Sequence, residues 1–175
     1  MAKRALQKYL QELKKEELEE QIMDLYHRFP AVKEYFDFSF NPKEEKLLEE
    51  AKLKISKEFF PLNGRKAKAR RGVAQKLVKK YIGLGVDPIV IADVMLYSIE
   101  IAQEFNLIKP QKQEAFYKSM QNSFEKALEF IKANKIEQDF NQRLERIVNE
   151  AIDQEWYNYL IIEKDWETYQ EAIQP

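Results

Sequence analysis

Apolar residues recur three and four positions apart along almost the whole chain, and this spacing constrains the fold more than any other feature of the sequence. Residues at that spacing share one face of an α-helix. Only four glycines and six prolines among 175 residues leave little material for the tight turns of a many-stranded sheet. The sequence therefore predicts an all-α fold, a single helical domain over residues 1–175 built as an irregular bundle of about eight helices.

Individual segments make this prediction more specific. The stretch from about residue 88 to about residue 105 is apolar on every side, which predicts a central helix surrounded by the core. Pro30 predicts the end of a helix, and Asn41, Pro42 and Glu44 predict the start of another. For the aromatic stretch 31–40 the pattern predicts no particular structure. Apolar residues over 116–131 and 136–151 predict an antiparallel helix pair.

Charge is distributed unevenly along the chain. Residues 59–86 carry eight basic side chains and no acidic one, whereas residues 87–175 carry nine basic and seventeen acidic ones. The eight cations are Arg65, Lys66, Lys68, Arg70, Arg71, Lys76, Lys79 and Lys80. Positive charge in the first turn of a helix opposes the helix dipole. We therefore expect a negative partner near the start of the helix predicted over residues 70–82.

An internal partner is the favoured interpretation. Asp93, Tyr97 and Glu100 share one face of the predicted central helix, and a buried carboxylate needs a cation beside it. Arg70 or Arg71 would supply that cation. Without a nucleophile, a histidine or a metal motif beside them, these three residues are interpreted as a polar cluster of a scaffold rather than as an acid–base site.

An external anion is the alternative, and it makes the same eight cations a nucleic-acid or phosphate contact. The segment KKYIGLGVDPIVIADV loosely resembles a helix–hairpin–helix element, whose Gly-x-Gly turn donates backbone N–H groups to a DNA phosphate. Gly83 and Gly85 fit that turn, but Asp87 would repel a phosphate. A pI near 6.0 and the lack of aromatic residues among the cations also disfavour this alternative.

The C-terminal segment carries a second candidate surface. Its aromatic and apolar residues follow helical spacing, so they either close the core or form a face for a protein partner. Closure of the core is favoured, because the termini of a stable domain must be tied down. The residues of the candidate partner face are Trp156, Tyr159, Ile162, Trp166 and Tyr169.

The sequence contains few residues of the types that support catalysis or metal binding. There is no cysteine and one histidine, and the chain has no glycine-rich phosphate loop. We therefore expect no catalytic residue, no metal ion and no cofactor, and we favour a non-enzymatic interaction or scaffold protein with an unknown protein partner. No segment resembles a signal peptide or a membrane span, so a cytoplasmic location without membrane contact is expected. The oligomeric state is left open.

Three stretches of the chain carry a resemblance to a known family: FPAVKEYFDFSFNP, GRKAKARRGVAQKLVKKYIGLGVDP and DVMLYSIEIAQEF. They resemble a bacterial family of uncharacterised helical proteins, the domain-of-unknown-function family 6155. The likeness continues through EKALEFI and ERIVNEA and so covers most of the chain. It implies an all-helical bacterial cytoplasmic protein, and since the family has no established activity, it assigns no role to any residue.

Overall fold

The structure, a computed structural model, describes residues 2–62 and 64–173. Every helix or strand within these ranges is an α-helix, which confirms the all-α prediction. The helices found there are α1 (Ala2–Glu12), α2 (Lys15–Arg28), α3 (Pro30–Phe40), α4 (Glu44–Phe59), α5 (Gly72–Leu84), α6 (Pro88–Ile108), α7 (Glu114–Asn134), α8 (Glu137–Asp153) and α9 (Tyr159–Ile173). The described part of the chain thus holds one helix more than predicted, and that helix is α3.

The chain groups into two compact units, Met1–Lys43 and Glu44–Pro175. The first unit contains α1, α2 and α3, and no residue that the structure describes in these helices is buried. In this unit α2 packs against α3, and Tyr26 donates a hydrogen bond of 2.7 Å to Asp37. The single domain over residues 1–175 stays a prediction.

The boundaries of α3 bear on two sequence interpretations. Pro30 follows the end of α2, as predicted, but it also begins α3. Proline is tolerated there because the first helical N–H has no partner within the helix. Helix α4 begins at Glu44, which confirms the helix start predicted from Asn41, Pro42 and Glu44. Asn41 itself lies at the end of α3, and its backbone N–H donates to the carbonyl of Asp37.

The second unit is built around α6. This helix packs against α4, α5, α7 and α8, and more of its residues are buried than in any other helix described. Asp87 caps it, because its carboxylate accepts a hydrogen bond of 2.7 Å from the backbone N–H of Ile89. The prediction of a central helix is confirmed, and the helix extends to Ile108.

The C-terminal helices differ from the predicted arrangement. The sequence predicted that α7 and α8 form an antiparallel pair. In the structure this pair is not the main contact of α7, because α7 packs chiefly against α6 and α9. Helix α8 in turn packs chiefly against α9 and α6. Helix α9 therefore buries apolar residues of both α7 and α8. Sequence periodicity identifies the face that a helix buries but not the helix that covers it.

Candidate functional site

The basic segment after α4 is tied to the end of that helix. The backbone N–H groups of Lys68 and Ala69 both donate to the carbonyl of Glu58, at 3.0 and 2.8 Å. Ala69 has a positive φ of 45°, a conformation that turns the chain sharply and that glycine adopts more readily than alanine. The turn brings the side chain of Arg70 beside the carboxylate of Glu58.

Arg70 has an internal partner, but not the predicted one. Its Nε and Nη2 atoms donate to the two oxygens of Glu58, at 2.7 and 2.8 Å. These hydrogen bonds hold the pKa of Glu58 below its ordinary value, although burial opposes the shift. Arg71 donates to the backbone carbonyl of Ala115 and thereby links the start of α5 to α7.

The prediction that Arg70 or Arg71 pairs with the carboxylates of the central helix is wrong, because Arg143 of α8 occupies that position. Its guanidinium donates to both oxygens of Glu100, at 2.6 and 2.7 Å, and to Oδ1 of Asp93 at 2.6 Å. The second oxygen of Asp93 accepts from Lys52 of α4 at 2.8 Å. Two cations and two anions thus form a neutral network that joins α4, α6 and α8.

The hydrogen bonds of the network determine the direction in which the pKa of Asp93 shifts. Burial raises the pKa of Asp93, but the hydrogen bonds from Lys52 and Arg143 outweigh it and hold the pKa below its ordinary value. A general acid at neutral pH needs a raised pKa instead. The third residue of the predicted cluster, Tyr97, places its ring 5.5 Å from the Nζ atom of Lys52. The predicted cluster is therefore a polar seam between helices.

The lowered pKa of Asp93 predicts how stability depends on pH. The ionised carboxylate stabilises the fold fully above 3.8, its ordinary pKa, and this contribution is lost as the pH falls through the lower pKa of the folded state. We expect Asp93→Asn to flatten the loss of unfolding free energy in acid, measured by urea titrations at several pH values. Asp153→Asn, at an exposed position of α8, is the control. Identical acid profiles for wild type and Asp93→Asn would contradict the prediction.

A pocket of about 290 Å³ lies between α4, α5, α6 and α7. Its inner wall is apolar and consists of buried side chains, among them Ile55, Phe59, Ala74 and Met120. Two serine hydroxyls also line it, and each donates to a carbonyl of its own helix. The hydrogen atoms of both hydroxyls are therefore already engaged, and the interior offers an apolar side chain a suitable environment.

Cations surround this pocket. Arg70, Arg71, Lys79 and Lys126 line it together with the apolar residues, and none of the described carboxylates does. Lys79 and Lys126 are exposed, and neither forms an ion pair with any residue that the structure describes. The apolar interior and the positively charged surround together define what we call the α5 pocket.

A second pocket, of about 380 Å³, shares Arg70 with the α5 pocket. Four exposed cations line it, and none of them has an ion pair within the described ranges: Lys57, Arg65, Lys66 and Lys68. Its carboxylate, that of Glu58, is already bound to Arg70. We call this site the basic pocket. Lys76 and Lys80 lie elsewhere on α5 and line neither pocket.

The turn between α5 and α6 does not form the phosphate contact of a helix–hairpin–helix element. Gly83 lies inside α5, and Gly85 follows that helix in a left-handed conformation, with φ of 75°. The first turn of α6 is capped by the carboxylate of Asp87, whose own backbone N–H donates to Glu44 at 2.9 Å. Two carboxylates therefore occupy the position where a phosphate would bind.

The C-terminal candidate face points into its unit. Trp156, Ile162, Trp166 and Tyr169 are buried, and Tyr159 is half-buried. Burial raises the pKa of Tyr169 to about 12. Because a partner face must be accessible, these residues close the core, which was the interpretation favoured from the sequence.

The sequence interpretation missed several residues of these sites. Neither Arg143 nor Lys52 was singled out from the sequence. Each lies three or four positions from apolar residues of its own helix, and a charged side chain on such a face needs a partner of opposite charge. Lys126 was missed because it comes from α7, far along the chain from the basic segment. Only the packing of α7 against α6 brings it to the α5 pocket.

Two further properties of the described residues bear on function. No three histidine or carboxylate side chains within them are close enough together to hold a metal ion. None of the helices described has the length and apolar character needed to cross a membrane.

Comparison with known protein families gives a match. The sequence profile of a family described as "Family of unknown function (DUF6155)" matches residues 1–170, nearly the whole chain, and confirms the resemblance read from the sequence. Neither a curated protein nor a solved structure matches.

Proposed function

The chain belongs to this family of unknown function, and we propose from its geometry that it is a non-enzymatic interaction protein that binds an acidic, amphipathic segment of another protein. One observation carries the proposal: the α5 pocket is apolar inside, and cations but none of the described carboxylates line it. An apolar side chain of the partner would fill the pocket. Acidic residues beside that side chain would meet Lys79 and Lys126.

The state of the carboxylate network supports a role without catalysis. Asp93 and Glu100 are engaged by Arg143 and Lys52, so their oxygens are not poised to transfer protons. The lowered pKa of Asp93 keeps this group ionised. The polar groups of the α5 pocket are cations, two serine hydroxyls and the amide of Gln75, and none of the described residues that line it is a carboxylate or a histidine that could activate a nucleophile.

The spread of charge favours a protein segment over a small amphipathic molecule. A single anionic head group would contact the cations at one pocket only. The basic pocket adds Lys57, Arg65 and Lys66 next to the α5 pocket, and an extended acidic segment would reach both. An amphipathic helix whose apolar side chains enter a groove is a common form of such recognition.

Nucleic acid is the second candidate, and the basic pocket is the observation that favours it. Its exposed cations match the phosphates of a polynucleotide. However, a polynucleotide offers no aliphatic side chain to fill the α5 pocket. No exposed aromatic ring among the described residues lines either pocket, so a base would find no surface to stack on.

Fluorescence anisotropy with three labelled probes tests the proposal. The first probe is a helical peptide with leucines on one face and glutamates beside them, the second is the same peptide with glutamine for leucine, and the third is a single-stranded oligonucleotide of equal charge. We expect the leucine peptide to bind most tightly. The double variant Lys79→Glu with Lys126→Glu should weaken its binding about tenfold or more, because attraction becomes repulsion.

The control is a charge reversal outside both pockets. Arg146→Glu, paired with Lys164→Glu, changes the net charge equally at exposed positions of α8 and α9 and should leave binding within about twofold of wild type. Tightest binding of the oligonucleotide, with a steep dependence on salt, would establish the second candidate instead. Equal binding of the leucine and glutamine peptides, or binding of no probe, would overturn the proposal.

A further inference from the structure

Helix α1 presents an apolar stripe without a partner. Its amphipathic sequence places Leu6, Tyr9 and Leu10 on one side of the helix. These side chains are 54%, 44% and 37% exposed, and no residue of α1 is buried. An isolated helix of 11 residues is marginal in water, where most helices depend on packing of their apolar face. The stripe therefore needs a covering surface.

A matching stripe lies on α2. Ile22 and Leu25, three positions apart, share a face of this helix and are 46% and 43% exposed, and Phe29, the residue directly after the helix, is 47% exposed. Gln21 donates a hydrogen bond of 2.6 Å to the hydroxyl of Tyr9, so the two helices meet at that point. Because both stripes remain exposed, α1 does not cover the stripe of α2 in its own chain.

The charges of the two helices are complementary. Helix α1 carries three basic residues and one acidic residue, whereas α2 carries two basic and five acidic residues. Lys3, Arg4 and Lys8 of α1 form no ion pair within the described ranges, and the same holds for Glu16 and Glu20 of α2. A second copy of α1 would bring an excess of positive charge to the acidic α2.

We propose that residues 2–29 form a self-association surface on which α1 of one copy packs against α2 of a second copy. A two-fold axis repeats the contact, so α1 of the second copy covers α2 of the first. Four apolar stripes are then buried together, and each basic helix lies against an acidic one. This inference rests on α1 and α2 alone and is independent of the proposed function of the α5 pocket.

Sedimentation equilibrium of the full chain over a range of concentrations tests the proposal. We expect a reversible dimer with twice the chain mass of 21.0 kDa. The double variant Leu6→Gln with Leu10→Gln should raise the dissociation constant about tenfold or more, because polar side chains replace the apolar stripe. Gln11→Ala, on the side of α1 that faces away from the stripe, is the control and should dimerise like wild type.

A disulfide trap tests which helices meet. The chain has no cysteine, so a chain with Leu6→Cys and a chain with Ile22→Cys can cross-link only through the added thiols. Oxidising their mixture should give a covalent dimer of the two different chains, whereas Gln11→Cys in place of Leu6→Cys should give far less. A monomer at all concentrations, a dimer unaffected by the leucine variant, or equal cross-linking of Gln11→Cys would overturn the proposal. A monomer that binds anionic lipid vesicles would also overturn it and would identify the stripe as a membrane contact.

Discussion

Replacing Arg143 by alanine is expected to destabilise the protein by about 3 kcal/mol, near the lower end of the range for breaking a buried ion pair. The side chain of Arg143 is 19% exposed, so some solvent screening remains in the native protein. Its removal leaves Glu100 without its cation and Asp93 with Lys52 alone. The change in unfolding free energy is measured by urea titration followed by far-UV circular dichroism.

Two variants make this prediction specific to the network. Arg146→Ala, three residues later at an exposed position of α8, should change the unfolding free energy by less than about 0.5 kcal/mol. Arg143→Lys keeps the charge but cannot donate to two carboxylates through a planar fork, so it should be intermediate. If Arg143→Ala is no more destabilising than Arg146→Ala, the network does not hold the helices together as described.

Replacing Trp156 by alanine is expected to cost about 4 kcal/mol of unfolding free energy. The indole is 1% exposed and packs edge-on against Tyr117 and Phe116, with ring centroids 5.4 and 6.0 Å away. Its Nε1 donates a hydrogen bond of 2.8 Å to Gln154. Truncation would leave a large cavity and remove one of the two hydrogen bonds that the amide oxygen of Gln154 accepts, the other coming from Asn106. The same urea titration measures the loss.

The adjacent residue provides the control for this prediction. Tyr157 is 70% exposed, so Tyr157→Ala should change the unfolding free energy by no more than about 0.5 kcal/mol. The pair also tests whether the C-terminal aromatic residues close the core. Similar effects of the two substitutions would contradict the burial of Trp156.

The central helix was predictable because its sequence leaves no alternative. A segment that is apolar on every side must be covered on every side, and α6 is packed against four other helices. Helix α3 was not predicted because its four aromatic side chains follow no clear helical stripe. Helix α3 begins at Pro30, and a proline is equally compatible with the end of one helix and with the beginning of the next.

The partner of Asp93 could not be predicted in the same way. The sequence required a cation near this carboxylate, which was correct, but any of several basic residues could satisfy that requirement. Arg143 lies 50 positions away from Asp93 along the chain, and only the packing of α8 against α6 brings them together. Arg70 was instead engaged locally by Glu58, through a turn that depends on the left-handed conformation of Ala69.

The two pockets could not be predicted from the sequence either. Helical spacing identifies Ile55 and Phe59 as core residues, and both are buried. It does not indicate that short side chains such as Ala74 and Ser98 leave space beside them. The excess of cations in residues 59–86 indicated that this part of the surface is positively charged. The apolar cavity next to those cations depends on how four helices pack together, which the sequence pattern does not show.

One side of α6 lines the α5 pocket, and the other side carries the carboxylates of the network. Met95 and Ser98 line the α5 pocket, and each lies two positions from a carboxylate of the network, Asp93 or Glu100. Two positions correspond to a rotation of about 200° around a helix, so these residues face away from the carboxylates. Through these carboxylates, α6 is bound to Lys52 of α4 and Arg143 of α8 on the side away from Met95 and Ser98. A ligand should thus meet a surface already in its final shape, and its association rate should be set by encounter rather than by rearrangement of the protein.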